Sequence, residues 1–153
     1  MYRRSIRHRK IESRKECCKV IKFSIPGPPQ GKGRPRFTKS GHTYTPAKTA
    51  EYEKLVQAEY IRQCAGQSLH GQPVHIWIDA FFEIPKNTSK KRHSEMLIME
   101  RPTKKPDADN VIKIITDALN GIAYDDDRQI VALMFEKFYA EIPHVDVYLG
   151  VVQ

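Results

Sequence analysis

The 153-residue sequence lacks the features that mark several large classes of protein. It contains no run of about 18 apolar residues that could span a bilayer. Its N-terminal residues are positively charged but are not followed by the apolar stretch of a secretory signal peptide. The three cysteines are odd in number and irregularly spaced, which argues against a disulfide framework. We therefore expect a cytoplasmic protein with reduced cysteines.

Two common ligand-binding patterns are also missing. The six histidines show no HxxxH or HExxH spacing and the cysteines form no CxxC pair, so the sequence predicts no zinc site. The segment GPPQGKGR has the glycines and lysine of a phosphate-binding loop. However, Gly27 and Gly31 are one residue too close, and Lys32 is followed by glycine instead of Ser or Thr. A P-loop nucleotide site is therefore excluded.

Positive charge is distributed unevenly along the chain. The net charge is +8, and residues 1–19 contain eight Lys and Arg against Glu12 and Glu16, so most of the excess lies there. Such a segment is typical of a disordered arm with a general attraction for polyanions. We therefore predict a basic, disordered N-terminal extension over residues 1–19 and one globular domain over 20–153.

The hydrophobic pattern predicts four main strands. Polar and apolar residues alternate over 20–25, and the segment PVHIWIDAFFEIP, residues 73–85, is apolar on both faces, which is typical of a central strand. Two further strands, over 129–143 and 144–152, are separated only by a turn near Pro143. Because this connection is so short, we predict that they are antiparallel neighbours.

Helical patterns alternate with these strands. Thr45 as N-cap and Pro46 at the first helical position predict a helix that reaches about Ala65. A short helix is predicted within 86–105, and the sharpest apolar stripe predicts a helix over 110–119. The sequence therefore predicts a single α+β domain, with a mixed or antiparallel sheet flanked by helices.

Basic residues are concentrated in two segments of the predicted domain. The segment RFTKSGHTYT predicts a hairpin about Ser40-Gly41 that could bind anions. The candidate DNA contacts, which could bind phosphates, are Lys32, Arg34, Arg36, Lys104 and Lys105. A solvated turn is the alternative interpretation for Lys32, Arg34 and Arg36.

Acidic residues are concentrated in KKPDADNVIKIITDALNGIAYDDDRQI, residues 104–130. Its aspartates are Asp107, Asp109, Asp117, Asp125, Asp126 and Asp127. In extended backbone Asp107 and Asp109 face the same way, and Lys113 lies one helical turn beyond Asp109. Carboxylates that converge repel one another unless a cation lies between them, and oxygen ligands alone favour Mg²⁺, with Mn²⁺ as a substitute.

The same residues also have a purely structural interpretation. Asp109 could be the helix N-cap and Asp107 a turn residue. The aspartates at 125–127 could form a solvated loop. Asp117 is interpreted as an ordinary helix ion pair with Lys113, one turn before it. Spacing alone leaves both interpretations open.

The acidic segment closely resembles the signature of the RusA family of Holliday-junction resolvases. In that signature a D-x-D-N-x-x-K helix start is followed by a D-D-x-Q-[IV] turn into a strand. The segment FSIPGPPQGKGRPRF is similar to the N-terminal region of phage-type members, and the resemblance spans residues 20–152.

The resemblance implies roles for individual residues. Asp107, Asp109 and Asp127 correspond to metal-binding catalytic carboxylates, and Lys113 corresponds to the basic residue near the phosphate. Asp126 matches the first acid of the D-D pair. This chain has three consecutive aspartates where the pattern needs two, so an offset of one residue is conceivable; Gln129-Ile130 supports the alignment chosen.

The resemblance further implies a homodimeric, Mg²⁺-dependent endodeoxyribonuclease that resolves four-way DNA junctions by paired symmetric nicks, in recombination and repair. One alternative is a non-catalytic basic DNA-binding protein whose acidic cluster is structural. Another is a Mg²⁺ nuclease that acts on other branched DNA. The sequence does not separate junction resolution from this last activity.

Overall fold

The computed structural model describes residues 20–37 and 39–152, so the predicted N-terminal extension, residues 1–19, lies outside the described residues. The elements, in chain order, are β1 (Ile21–Pro26), β2 (Arg36–Phe37), β3 (Thr43–Tyr44), α1 (Ala47–Cys64), β4 (Val74–Glu83), α2 (Lys90–Ile98), α3 (Ala108–Leu119), a 3₁₀ turn (Asp127–Gln129), β5 (Ile130–Ala140) and β6 (His144–Val151). No helix within the described ranges is long and apolar enough to cross a membrane.

Four strands form one mixed sheet in the order β1-β6-β4-β5. β6 is antiparallel to both β1 and β4, whereas β4 and β5 are parallel. β4 is a central strand, as predicted, since it pairs with a strand on each side. Ile76 and Ile78 are buried on one of its faces, and Trp77 and Phe81 are half-buried on the other. The two short strands β2 and β3 form the predicted hairpin, with Gly41 at a positive φ of 82°.

The prediction that the last two strands are neighbours is wrong. β4 lies between them, since Ile78 pairs with Phe135 of β5 on one side and with Val147 of β6 on the other. Strands that flank a common neighbour are about 9.6 Å apart, a distance that three connecting residues can span. A short connection therefore does not force direct pairing when an apolar strand can pair along both of its edges.

Helices α1 and α3 cover one face of the sheet. Tyr52, Val56 and Tyr60 of α1 and Ile114 and Ile115 of α3 are buried in one cluster with the inward side chains of β1, β4 and β6. This packing confirms the helical stripes and the α+β fold predicted from the sequence. α3 begins two residues earlier than expected and ends as expected, with Gly121 at a φ of 74°.

The predicted capping of α1 by Thr45 is wrong by one position. The N-cap is Pro46, whose extended backbone (φ −55°, ψ 137°) precedes the first helical residue, Ala47, and which provides no side-chain cap. The Pro46 carbonyl accepts the first helical hydrogen bonds. The Thr49 hydroxyl accepts a hydrogen bond of 3.1 Å from the Gly33 N–H, so α1 begins against the glycine-rich loop.

Candidate functional site

The start of α3 presents two exposed carboxylates. Asp107 is the N-cap residue, with extended backbone (φ −69°, ψ 150°), but its side chain makes no capping hydrogen bond, and Asp109 lies in the first helical turn. The interpretation of Asp109 as the N-cap is therefore wrong. Negative charge is stabilised at this end of a helix by the helix dipole. Both carboxylates face solvent, where they can bind a cation or another positively charged group.

The chain just before Asp107 is fixed by Lys137 of β5. The Lys137 ammonium donates hydrogen bonds to the carbonyl oxygens of Lys104, at 2.9 Å, and Pro106, at 2.7 Å. The Lys104 ammonium in turn donates to the Glu83 carbonyl at 3.2 Å. Lys137 is absent from the residues predicted from the sequence. Its signal there is weak, since a single lysine within an otherwise apolar strand usually lies at the surface.

The glycine-rich loop packs directly on the start of α3. A Cβ atom on Gly31 would lie 2.9 Å from the Pro106 Cβ and 3.1 Å from the Asn110 Cβ, so only glycine fits without movement. The Lys32 N–H donates to the Asn110 carbonyl at 2.9 Å. The close approach explains the glycine at position 31 without a bound nucleotide.

Lys32 is held between two acidic side chains. Its ammonium donates a short hydrogen bond to Asp117 and lies 3.0 Å from a Glu53 oxygen. Burial disfavours the charged form of Lys32, but the bonds to Asp117 and Glu53 outweigh this effect, so its pKa is raised. The contact of Lys113 with Asp117 is longer, at 3.9 Å, and the Lys113 side chain is 62% exposed. Asp117 is thus an ion-pair partner, as interpreted from the sequence, although its nearer partner is Lys32.

The other predicted DNA contacts differ in how they are placed. Arg34 and Lys105 are exposed, whereas the Lys104 ammonium lies over the aromatic rings of Phe82 and Tyr139. The Arg36 side chain is not among the side chains that the structure describes. The role of all five residues as phosphate contacts remains a prediction.

The acidic turn after α3 is anchored by two of its three aspartates. Asp125 accepts a hydrogen bond of 2.8 Å from the Gly71 N–H and contacts the His70 ring at 2.7 Å. Asp126 caps the 3₁₀ turn by accepting from the Arg128 N–H at 2.9 Å. This backbone hydrogen bond, followed by one from the Arg128 side chain, lowers the Asp126 pKa. Asp127 is exposed at the first position of the turn.

Gln129 completes this turn with its side chain. Its carbonyl oxygen accepts hydrogen bonds from the N–H groups of Asp125 and Asp126, and its amide donates to the carbonyls of Leu69 and Gln72. The glutamine that supported the alignment through the aspartates is therefore a structural residue. The D-x-x-Q spacing of a capping box was the sequence signal for this role.

Tyr124 joins the acidic turn to the second half of α3. Its buried hydroxyl donates to the Thr116 carbonyl at 2.8 Å. Burial, followed by the negative charges of Asp127 and Asp117, raises the Tyr124 pKa. The Tyr124 hydroxyl therefore ties the acidic turn to the backbone of α3.

The described side chains contain no ready-made cluster of metal ligands. Over residues 20–37 and 39–152, no group of three or more His, Cys, Asp or Glu side chains is arranged to hold a metal ion. The described side chains of a single chain therefore do not fit a three-carboxylate metal site, and the catalytic and metal-binding roles remain predictions.

Comparison with known proteins first identifies the class of protein, the endodeoxyribonucleases. The family model described as Endodeoxyribonuclease RusA matches residues 26–149, most of the chain. The chain belongs to the RusA endodeoxyribonuclease family, which confirms the resemblance seen in the acidic segment. It is also 37% identical, over 135 residues, to the uncharacterized protein YqaN of Bacillus subtilis (strain 168); the alignment covers 84% of this chain and 94% of YqaN.

Proposed function

We propose that this protein is a Mg²⁺-dependent, structure-selective endodeoxyribonuclease that resolves four-way DNA junctions by paired symmetric nicks, in the cytoplasm and in the service of recombination and repair. The observation that carries the proposal is the family match over 26–149 together with the intact D-x-D-N-x-x-K and D-D-x-Q-I motifs. Both motifs lie on structurally defined elements, the start of α3 and the turn into β5.

The proposed catalytic residues are Asp107, Asp109, Asp127 and Lys113, of which the three aspartates bind the metal. Support comes from the different contacts that the aspartates of the acidic segment make. Asp125 and Asp126 are engaged by neighbouring N–H groups, whereas Asp107 and Asp109 are exposed without capping the helix. Lys113 lies one turn beyond Asp109 and is largely exposed, so its ammonium can approach a phosphate beside α3.

Homodimerisation belongs to the same proposal. A four-way junction has two strands of like polarity that must be cut symmetrically, and a protein with two-fold symmetry offers two equivalent sites. The exposed Arg34 and Lys105 are proposed to contact phosphates beside these sites, since contacts to the DNA backbone position the substrate without reading its sequence.

The test is cleavage of a synthetic mobile four-way junction, with each of the four strands labelled in turn. With Mg²⁺ we expect paired nicks at symmetric positions in two opposing strands, leaving 5′-phosphate and 3′-hydroxyl ends that DNA ligase can seal. EDTA should abolish cleavage and leave binding. A flap and a linear duplex of the same sequence are the matched substrates.

Each of the other outcomes would overturn part of the proposal. Preferential cleavage of the flap would identify a nuclease for other branched DNA. Junction binding that is indifferent to metal, with no nicks on any strand, would identify a non-catalytic DNA-binding protein.

A further inference from the structure

Lys32 lies between two glycines that fit into narrow spaces beside the helices. A Cβ atom on Gly31 would lie 3.1 Å from the Asn110 Cβ of α3, and one on Gly33 would lie 2.8 Å from the Thr49 hydroxyl oxygen of α1. The Lys32 N–H donates to the Asn110 carbonyl at 2.9 Å. The backbone at Lys32 is therefore held between the start of α1 and the start of α3.

The Lys32 side chain joins the same two helices through two carboxylates. Its ammonium donates a hydrogen bond to Asp117 of α3 and lies 3.0 Å from an oxygen of Glu53 of α1. Each of the three side chains is only 21–25% exposed, and together they carry a net charge of −1. Lys32 therefore compensates one of the two negative charges that Glu53 and Asp117 would otherwise present.

Lys113 lies between Asp117 and the proposed catalytic end of α3. Asp109 is four residues before Lys113 and Asp117 is four residues after it, so each is about one turn away on nearly the same face of the helix. The Cα–Cβ bonds of a helix tilt toward its N-terminus, which favours the side of Asp109. An ion pair with Asp117 would therefore draw the Lys113 ammonium away from the proposed metal ligands.

The observed contact between Lys113 and Asp117 is weak. The Lys113 ammonium lies 3.9 Å from the Asp117 oxygen that also accepts the hydrogen bond from Lys32, which is beyond hydrogen-bonding distance. The Lys113 side chain is 62% exposed. An exposed lysine loses conformational freedom when it forms an ion pair, so a weak attraction does not hold it. The Lys113 ammonium thus stays available to a ligand in solvent.

We propose that Lys32 is a positioning residue for the cleavage step: it occupies Asp117 and thereby keeps the Lys113 ammonium available to the scissile phosphate. Without Lys32, Glu53 and Asp117 would present two uncompensated negative charges. The attraction of Lys113 to this pair would roughly double at a given distance, and its ammonium would turn away from Asp109. The inference rests on the proposed function, since it concerns the Lys113 of the same site.

A direct phosphate contact is the competing role for Lys32. To make it, the ammonium would have to leave both Asp117 and Glu53, whose bonds outweigh the effect of burial and raise the Lys32 pKa. Loss of a phosphate contact would weaken junction binding and flatten its dependence on salt. Loss of a positioning residue would leave both unchanged and slow the cleavage step.

The decisive comparison removes Asp117 together with Lys32. Lys32→Met should slow single-turnover junction cleavage at saturating enzyme by about tenfold or more, because Lys113 no longer stabilises charge on the phosphate. Junction affinity and its salt dependence should stay those of the wild type. Lys32→Met/Asp117→Asn should cleave within a few-fold of the wild type, since the carboxylate that would hold Lys113 is gone.

Two outcomes of this comparison would overturn the inference. One is a folded double variant that cleaves as slowly as Lys32→Met. The other is a Lys32→Met protein that loses junction affinity and shows a smaller salt slope, which would make Lys32 a phosphate contact. If Lys32→Met does not fold, with folding checked by circular dichroism, the double variant still decides, because it lacks Lys32 and no longer has two carboxylates without a cation.

NMR relaxation of the Lys113 side-chain terminus is the readout that needs neither DNA nor metal. In the wild type we expect an order parameter below about 0.6, as for other flexible groups. It should rise at least about 1.5-fold in Lys32→Met, where Asp117 holds the ammonium, and return to the wild-type value in Lys32→Met/Asp117→Asn. An unchanged order parameter in Lys32→Met would overturn the inference, since Lys32 would then not act through Lys113.

Two variants control for a general loosening of the loop. Thr49→Val removes the hydroxyl that accepts the Gly33 N–H at 3.1 Å and leaves Lys32 on Asp117. Glu53→Gln removes the other carboxylate that contacts Lys32, which is 24% exposed against 21% for Asp117. Both should cleave within a few-fold of the wild type and keep Lys113 mobile. A control that matched Lys32→Met in cleavage and in order parameter would show that anchoring of the loop explains the effect, and the inference would be wrong.

The inference and the proposed function can fail separately. A wild type that nicks no junction, while the Lys113 order parameter changes as expected among the variants, would overturn the function and leave the control of Lys113 by Lys32 standing. A wild type that resolves junctions, with a Lys32→Met variant that resolves them at the same rate, would leave the function standing and overturn the inference.

Discussion

At the scale of single residues, the aspartates of the acidic segment differ in the hydrogen bonds that their carboxylates accept. Asp125 and Asp126 accept hydrogen bonds from nearby N–H groups and hold the turn in place. Asp107 and Asp109 are exposed at the N-terminus of α3 and leave the capping position without a side-chain hydrogen bond. Because the first pair is structural and the second pair is not, their substitutions should have different consequences.

Asp107→Asn, Asp109→Asn and Asp127→Asn should each abolish junction cleavage and leave junction binding intact, because they remove metal ligands but no basic surface. Asp125→Asn is the matched control. It should keep cleavage within a few-fold and lower the free energy of unfolding by about 1 kcal/mol, since it weakens the bonds to Gly71 and His70. Single-turnover cleavage, gel-shift binding and urea unfolding measure the three effects.

Two outcomes would contradict these assignments. Near-normal cleavage by Asp109→Asn would remove that residue from the catalytic set. If Asp125 were essential and Asp127 dispensable, the alignment through the three aspartates would be displaced.

At the scale of elements, α3 is positioned by contacts from several directions. The glycine-rich loop packs on its start through Gly31, and Lys32 of the same loop reaches Asp117 near its end. Tyr124 bonds to its backbone at Thr116. The helix that carries Asp109 and Lys113 is therefore held in place by contacts from Gly31, Lys32 and Tyr124.

Lys32→Met should lower the free energy of unfolding by about 1–3 kcal/mol at neutral pH, because it leaves Asp117 and Glu53, both partly buried, without their common partner. The Lys32 pKa is raised in the folded state above its ordinary value of 10.5. Its contribution is therefore complete below pH 10.5 and is lost as the pH rises through the folded-state pKa. The stability difference between wild type and variant should shrink in that range.

Lys113→Met is the matched control for this measurement, since Lys113 also contacts Asp117 but is 62% exposed. Its effect on stability should stay below about 0.5 kcal/mol. Urea unfolding of the three proteins between pH 7 and pH 11 gives the comparison. A Lys113 variant that loses as much stability as the Lys32 variant would show that the loop is not held through Lys32.

At the scale of the whole molecule, positive charge and the proposed chemistry lie in different parts of the chain. Residues 1–19 contain eight Lys and Arg, whereas all of the proposed catalytic residues lie between Asp107 and Asp127. The N-terminal extension should therefore contribute to affinity for DNA and not to the cleavage step.

Deletion of residues 1–19 should flatten the slope of log affinity against log salt concentration, because fewer phosphate counterions are released on binding. Each lost contact changes the slope by about 0.9 for duplex DNA, so three contacts would be clearly measurable. Single-turnover cleavage at saturating enzyme should stay within a few-fold. A double substitution of the exposed Lys90 and Lys91 on α2 to Gln is the control for a general loss of charge.

An unchanged salt slope would show that the extension makes no contact with DNA. Complete loss of cleavage at saturating enzyme would show that the catalytic domain extends into residues 1–19.

The sequence by itself determined the fold class, the helix that carries the acidic motif and the family. These depend on local signals. The apolar stripe of α3, the alternation in β1 and the D-x-D-N-x-x-K spacing each lie within a few turns or a few strand residues, where side-chain periodicity fixes which residues share a face. The central position of β4 was predictable for the same reason, since both of its faces are apolar.

Only the tertiary structure decided which strands pair and which aspartates accept hydrogen bonds from the protein itself. Insertion of β4 between β5 and β6 depends on competition among strands for partners, which a short connection does not reveal. The contacts of Lys32 with Asp117 and of Lys137 with Pro106 join residues far apart in the chain, so no spacing rule indicates them. Sequence patterns show which side chains can interact locally, but the position of Asp127 at one end of β5 and of Asp107 near the other is fixed only when the whole sheet has formed.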